Sequence, residues 1–221
     1  MLYDGKPIGI MGGTFDPIHY GHLRPALEAL EGLGLAEVRF IPCSRPSHRD
    51  SPLATPEQRL AMLEQAITGQ PGFVADAREL RRTGPSYMVD TLASLRAQMG
   101  DTPLCLLLGA DAFNALPRWH RWEKLWTLAH LVVMRRPGAS LELSNTLKCS
   151  VAQRTVEHPS DLCEQPAGRV LFQPVTQLDI SATQIRKLLA AGNSPRYLLP
   201  DVILTYIGDQ GLYRSPSSPT L

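Results

Sequence analysis

The chain has 221 residues, 43% of them hydrophobic, enough to bury a sizeable core in one enzyme-sized body. Its 22 Lys and Arg are balanced by 21 Asp and Glu, so no global field draws it to nucleic acid or an anionic membrane, and any bound anion must be held locally. No apolar run approaches the ~20 residues of a membrane span, residues 1–7 lack the apolar core of a signal peptide, and Cys43, Cys105, Cys149 and Cys163 have no C-x-x-C spacing; a cytoplasmic protein with reduced, unpaired thiols is expected.

The run Pro7 to Met11 is short and apolar and leads into Gly12-Gly13, which predicts a buried strand ending in a glycine turn. From Tyr20 onward Leu23, Ala26, Leu27 and Leu30 recur at helical spacing, with Gly32 and Gly34 as a stop. Glu37 to Pro42 reads as a second strand, followed by a basic loop from Cys43 to Leu53 that carries Arg45, His48 and Arg49. Thr55-Pro56-Glu57-Gln58 offers an N-cap, a proline at the first helical position and a capping box, ahead of Leu60, Leu63 and Ile67 on one face. Phe73 to Ala75 is a short strand, and Val89, Leu92, Leu95 and Met99 mark a third helix. Leu104 to Gly109 is the most apolar run and does not alternate, which suits a central parallel strand buried on both faces.

Ala110 to Asn114 begins a short helical piece, Trp122 joins the core, and an amphipathic turn through Leu125 and Leu128 precedes a strand from Leu131 to Arg135. Residues 139–167 are polar and poorly periodic and are expected to form an irregular excursion. Val170 to Gln173 resumes as a strand. Ile180-Ser181-Ala182-Thr183-Gln184-Ile185-Arg186 supplies a Ser to Gln capping box opening a helix with Ile185, Leu188 and Leu189 inward. Pro200 to Gly208 forms the last helix, and residues 215–221 form a disordered tail.

Strands alternating with helices predict an α/β, Rossmann-like doubly wound parallel sheet with helices on both faces, in a single domain over residues 1–214. Such sheets bind ligands at the carboxyl ends of their strands, where strand order reverses. Gly12 to His22, the turn at Asp111, the basic loop and the helix start at Ser181 all follow strands, so one crevice can gather them.

The glycines permit a tight turn and close approach of a ligand, and the helix starting near Tyr20 presents free N–H groups and a positive dipole end, for which phosphate is the natural guest. His19 and His22, three residues apart, point to one side of a first helical turn and suit neighbouring phosphate oxygens. No Gly-Lys-Ser/Thr follows, the G-x-G-x-x-G pattern is absent, and no further ligands have zinc-site spacing.

Gly12-Gly13-Thr14-Phe15-Asp16-Pro17 with His19-Tyr20-Gly21-His22 resembles the signature of the nucleotidyltransferase superfamily, and Ile180 to Arg186 resembles its second, C-terminal signature. Within that superfamily the chain is most similar to bacterial nicotinate mononucleotide adenylyltransferases. Pro85-Ser86-Tyr87 with Asp90-Thr91-Leu92, Leu108-Gly109-Ala110-Asp111, Trp119 and Arg135-Arg136-Pro137-Gly138 also fall in that family's order.

The resemblance implies transfer of AMP from ATP to nicotinate mononucleotide with Mg2+ carried on the ATP phosphates, and no covalent enzyme intermediate. It implies catalysis by His19, His22 and Arg186, and ATP contacts from these three with Gly12, Gly13, Thr14, Phe15, Gly109, Asp111, Ser181 and Thr183. Nicotinate mononucleotide would meet Ser86, Tyr87, Met88, Trp119 and His120, with Trp119 as a stacking wall and the basic tip His48-Arg49 near phosphate. The family usually has Thr at the place of Met88 and often Tyr at that of His120, while backbone N–H groups of Tyr87 and Met88 stay available. A superfamily member acting on phosphopantetheine would need no such wall, and a nucleotide sensor without turnover would not need both histidines and Arg186.

Overall fold

The apolar runs at 8–11, 104–108 and 131–134 lack polar alternation because, in the computed structural model, helices cover their strands on both sides. The structure describes residues 5–45, 51–135 and 143–214. The strands are β1 (Ile8–Gly13), β2 (Glu37–Pro42), β3 (Phe73–Ala75), β4 (Leu104–Gly109), β5 (His130–Arg135), β6 (Thr155–Val156) and β7 (Val170–Pro174). They form one sheet in the order β3-β2-β1-β4-β5-β7-β6, with every pairing parallel. This is the expected Rossmann-like doubly wound arrangement.

The helices are α1 (Tyr20–Gly32), α2 (Pro56–Ile67), α3 (Met88–Met99), α4 (Ala110–Asn114), α5 (Leu125–Leu128), α6 (Asn145–Ala152), α7 (Ala182–Ala190) and α8 (Asp201–Asp209). Successive strand residues point to opposite faces, and two cores result. On one, Met11, Cys105, Leu107, Val132 and Met134 meet Ala26 and Ala29 of α1, Met62 and Leu63 of α2, Ile185 and Leu189 of α7, and Ile203 and Ile207 of α8. On the other, Ile8, Ile10, Leu104, Leu106, Leu108, Leu131 and Val133 meet Val89, Leu92 and Leu95 of α3, Phe113 of α4, Leu125 of α5 and Leu147 of α6.

Strand order runs outward from β1 through β2 to β3, then resumes with β4 on the other side of β1, in register Ile8 with Leu104 and Ile10 with Leu106. The reversal therefore lies between the carboxyl ends of β1 and β4, at Gly13 and Gly109.

The cap of α2 forms as expected: Thr55 Oγ1 accepts from Gln58 N, and the Gln58 side chain accepts from Thr55 N. Two expectations are corrected. The buried face of α2 is Arg59, Met62, Leu63 and Ile67, with Leu60 only half-buried, so the helix is turned by about one residue from the face its leucines suggest. The expected irregular excursion instead holds α6, β6 and a 3-10 turn, Pro159–Cys163, pinned by buried Leu147, Val151 and Leu162. So few apolar anchors in polar sequence leave no readable period. Among the described residues no helix is long and apolar enough to cross a membrane. His48, Arg49, residues 136–138 and the tail 215–221 lie outside the described residues.

Candidate active site

At the end of β1 the chain turns through Phe15, whose φ of 51° is left-handed, and through a cis Asp16–Pro17 peptide. The turn folds the Phe15 ring back over Gly13, where a Cβ would stand 2.7 Å from it. Glycine is needed there for close approach. The buried Phe15 ring meets the His22 ring edge to face at 5.2 Å and Phe40 at 6.0 Å. Phe15 thus supports His22, and only its backbone is left for a ligand.

His19 differs from the sequence expectation. It caps α1 in extended conformation, φ −153° and ψ 171°, and its carbonyl accepts from His22 N at 2.9 Å and Leu23 N at 3.2 Å. The two rings still come together, centroids 3.8 Å apart and tilted by 31°. His19 is buried, its Nδ1 has no partner among the described residues, and burial pulls its pKa down to about 4. At pH 7 it is a neutral imidazole.

A stability prediction follows with its sign. The folded-state value near 4 lies below the ordinary 6.5, so the unfolded chain binds the proton more readily between them. Stability is complete above pH 6.5 and declines as pH falls toward 4, by on the order of 3 kcal/mol from this group. Urea melts from pH 7 to 4.5 on the parent and on His19→Gln should show a shallower decline in the variant.

Gly21 fits between the two halves of this cluster. A Cβ there would lie 2.9 Å from His19 Nδ1 and 3.1 Å from the Ile180 carbonyl. Gly21→Ala should therefore displace the ring or the entry to α7, while alanine's better helix propensity offsets part of the strain. The expected outcome is a roughly 10- to 100-fold fall in kcat/KM with a melting temperature within a few degrees of the parent, read by initial rates and calorimetry.

Across the crevice Ser181 caps α7, its Oγ accepting from Gln184 N at 3.1 Å and keeping its own proton to donate. Arg186 Nη1 donates to the Asp16 carbonyl at 2.6 Å, and Nη2 donates to Thr183 Oγ1 at 3.3 Å. On the other side, a Cβ on Gly12 would collide with Met88 Cε, so the turn and the start of α3 are in direct apposition. Tyr87 stacks on His120 at 4.3 Å and 31°, and Trp119, Tyr87 and Met88 pack half-buried against the α3 core. Ser86 is committed locally: its Oγ accepts from Ser44 N at 2.9 Å and Arg45 N at 3.4 Å, holding the first residues of the basic loop. Asp111 is exposed on α4 and makes none of these contacts, and open space adjoins Gly109.

Four residues of the site, Arg59, Asp16, Tyr213 and Cys43, are given no role by the sequence. Arg59, fully buried on α2, donates from Nη1 to the Thr14 carbonyl at 2.7 Å and from Nη2 to the Ser44 carbonyl at 3.4 Å. A polar residue on the apolar face of a helix was the available signal. Asp16 and Tyr213 meet at 2.6 Å across 197 positions, a pairing with no local signal. Cys43, beside Thr14 Oγ1 at 3.7 Å, has its thiol pushed up by burial and stays protonated.

A parallel sheet whose switch point carries a glycine turn, two adjoining imidazoles and a facing arginine helix defines an α/β nucleotidyltransferase, and residues 10–188 match the model of the cytidylyltransferase-like family. A Methylococcus capsulatus protein named probable nicotinate-nucleotide adenylyltransferase is 55% identical, covering 93% of this chain and 99% of its own. A protein of the same name from Halorhodospira halophila is 50% identical, covering 96% and 97%. The chain belongs to the nicotinate-nucleotide adenylyltransferase family. The fold is shared with a solved structure titled Plasmodium falciparum nicotinic acid mononucleotide adenylyltransferase complexed with NaAD, at a TM-score of 0.68 and 18% identity over 94% of this chain and 97% of that one.

Proposed function

We infer that the protein transfers AMP from ATP to nicotinate mononucleotide, giving nicotinate adenine dinucleotide and pyrophosphate. An oxygen of the acceptor's phosphate attacks the α-phosphorus of ATP, the bond from that phosphorus to the α,β-bridging oxygen breaks, and pyrophosphate leaves with the electron pair. The nucleophile is already an anion, so the protein contributes positioning and charge stabilisation more than proton removal. The observation that carries this reading is the apposition of Gly12 and Met88, which sets an aromatic-lined acceptor side directly against the phosphate turn.

In this reading Gly12, Gly13 and Thr14 let the triphosphate approach the backbone, and His19 and His22 bear on the charge developing at the α-phosphate. Ser181, Thr183 and Arg186 hold the leaving pyrophosphate. Trp119 and the Tyr87–His120 pair flank the pyridine ring, and Asp111 accepts ribose hydroxyls. Among the described residues no group of three or more His, Cys, Asp or Glu side chains is placed to hold a metal ion, and the Asp16 carboxylate is taken up by protein donors. Mg2+ would enter on the ATP phosphates and, when bound, would supply charge neutralisation there, beside the groups offered by His19, His22, Ser181, Thr183 and Arg186. A cytoplasmic location would keep the four cysteines, all unpaired, in the reduced state.

Purified protein given ATP, Mg2+ and nicotinate mononucleotide should release pyrophosphate and form the dinucleotide; no release at millimolar substrates overturns the reading. Running nicotinamide mononucleotide and phosphopantetheine as acceptors in the same assay separates the acid-specific enzyme from its superfamily rivals.

A further inference from the structure

Asp16 is nearly inaccessible, and a buried carboxylate is stable only when donors saturate it. Four converge on this residue from distant parts of the chain. Its Oδ2 accepts from Leu53 N at 2.9 Å, and Oδ1 accepts from Ala54 N at 3.1 Å and from the Tyr213 hydroxyl at 2.6 Å. Arg186 Nη1 lies 3.7 Å from Oδ2 while donating to the Asp16 carbonyl.

We propose that Asp16 and Tyr213 are a positioning pair for the proposed reaction, the phenol holding the carboxylate in the orientation that leaves Arg186 aimed at the triphosphate. The Tyr213 contact has the length of a charge-assisted hydrogen bond. It is reached by a chain end that leaves α8 through Gly211 at φ 60° and enters Tyr213 at φ 62°, a left-handed conformation that a tyrosine keeps only where its surroundings hold it. Burial, then the hydrogen bond and charge of Asp16, push the phenol's pKa upward, so it serves as a donor throughout the working range.

The consequence for Arg186 is geometric. Nη1 is committed to a backbone carbonyl and Nη2 to Thr183, which fixes the guanidinium plane and leaves its remaining N–H edge for phosphate. The Asp16 carboxylate stands close enough to compete for that cation. With the phenol donating to Oδ1 and two amides filling the rest, the carboxylate has no need of a closer ion pair. Without the phenol it gains by drawing Arg186 inward, away from the ligand.

The inference rests on the proposed adenylyl transfer for its ATP site, and the test separates the two. Tyr213→Phe keeps the ring and removes the donor; Tyr206→Phe on α8 is the control. In steady-state kinetics Tyr213→Phe should raise KM for ATP about tenfold and lower kcat about threefold. KM for nicotinate mononucleotide should stay within about twofold, and the melting temperature should fall by no more than about 8 °C. Equal losses toward both substrates, or kinetics matching Tyr206→Phe, would overturn it. Calorimetric titration with Mg-ATP reads the same pair without turnover: about tenfold weaker binding by Tyr213→Phe supports the inference even if the parent makes no dinucleotide, and equal affinity sinks it. A parent that binds no ATP overturns both readings.

Discussion

Replacing His22 by alanine is expected to lower kcat by about two to four orders of magnitude, with a much smaller effect on KM for either substrate. The ring is held from two sides, by the edge of Phe15 at 5.2 Å and by His19 at 3.8 Å, so it reaches the reaction already oriented. Preorganised donors of this kind act on charge that exists only in the transition state, which is why the loss should fall on kcat. His19 is a different case. It is neutral by burial in the free protein, and phosphate bound beside it would favour its cationic form, so nucleotide binding should take up a proton near pH 5. Pyrophosphate-release kinetics on His22→Ala decide the first point, and a fall of less than threefold would reduce His22 to packing.

The parts of this site legible in the sequence are those carried by contiguous residues. Gly12 to His22 and Ile180 to Arg186 each place their chemistry within one turn and one helix start, so local rules of caps, dipoles and spacing suffice. The apolar run at Leu104 to Gly109 declares a central strand, and a parallel sheet then dictates which loops share a crevice. What escaped is chemistry made by tertiary contact. Tyr87 and His120 belong to separate elements, and their stacking is a property of the packing around α3. Asp16 sits inside the first motif, yet its partners at Leu53, Ala54, Arg186 and Tyr213 follow only from the fold. His19 falls between: the motif locates it, while its extended backbone and depressed pKa come from its burial.

Arg59 is the clearest case of a residue hidden by its type, and its replacement should have the largest effect on stability. Among the described residues it heads the fully buried side chains by volume, and its guanidinium ties the Thr14 carbonyl of the glycine turn to the Ser44 carbonyl at the root of the basic loop. Arg59→Ala removes six side-chain heavy atoms, from Cγ outward, from a closed site and leaves the half-buried Thr14 and Ser44 carbonyls without this donor. Cavity and lost hydrogen bonds together should cost roughly 3–5 kcal/mol. An opposing effect has to be weighed, because a buried cation carries a desolvation penalty and its removal by itself can stabilise. The charges of both Asp16 and Arg59 are felt at the Tyr213 phenol, so an opposite charge lies within electrostatic reach of the cation and the relief on deleting it is reduced. The cavity should therefore win, lowering the melting temperature by about 10 °C. Arg59→Met separates the two effects, since it keeps most of the stem and drops the charge. It should recover at least half of the lost stability by calorimetry while activity stays low, because neither variant can hold the Thr14 and Ser44 carbonyls. Recovery of activity along with stability in Arg59→Met would make Arg59 a space-filling residue, and the shape of the phosphate turn would then be set by Gly13 and Phe15 alone.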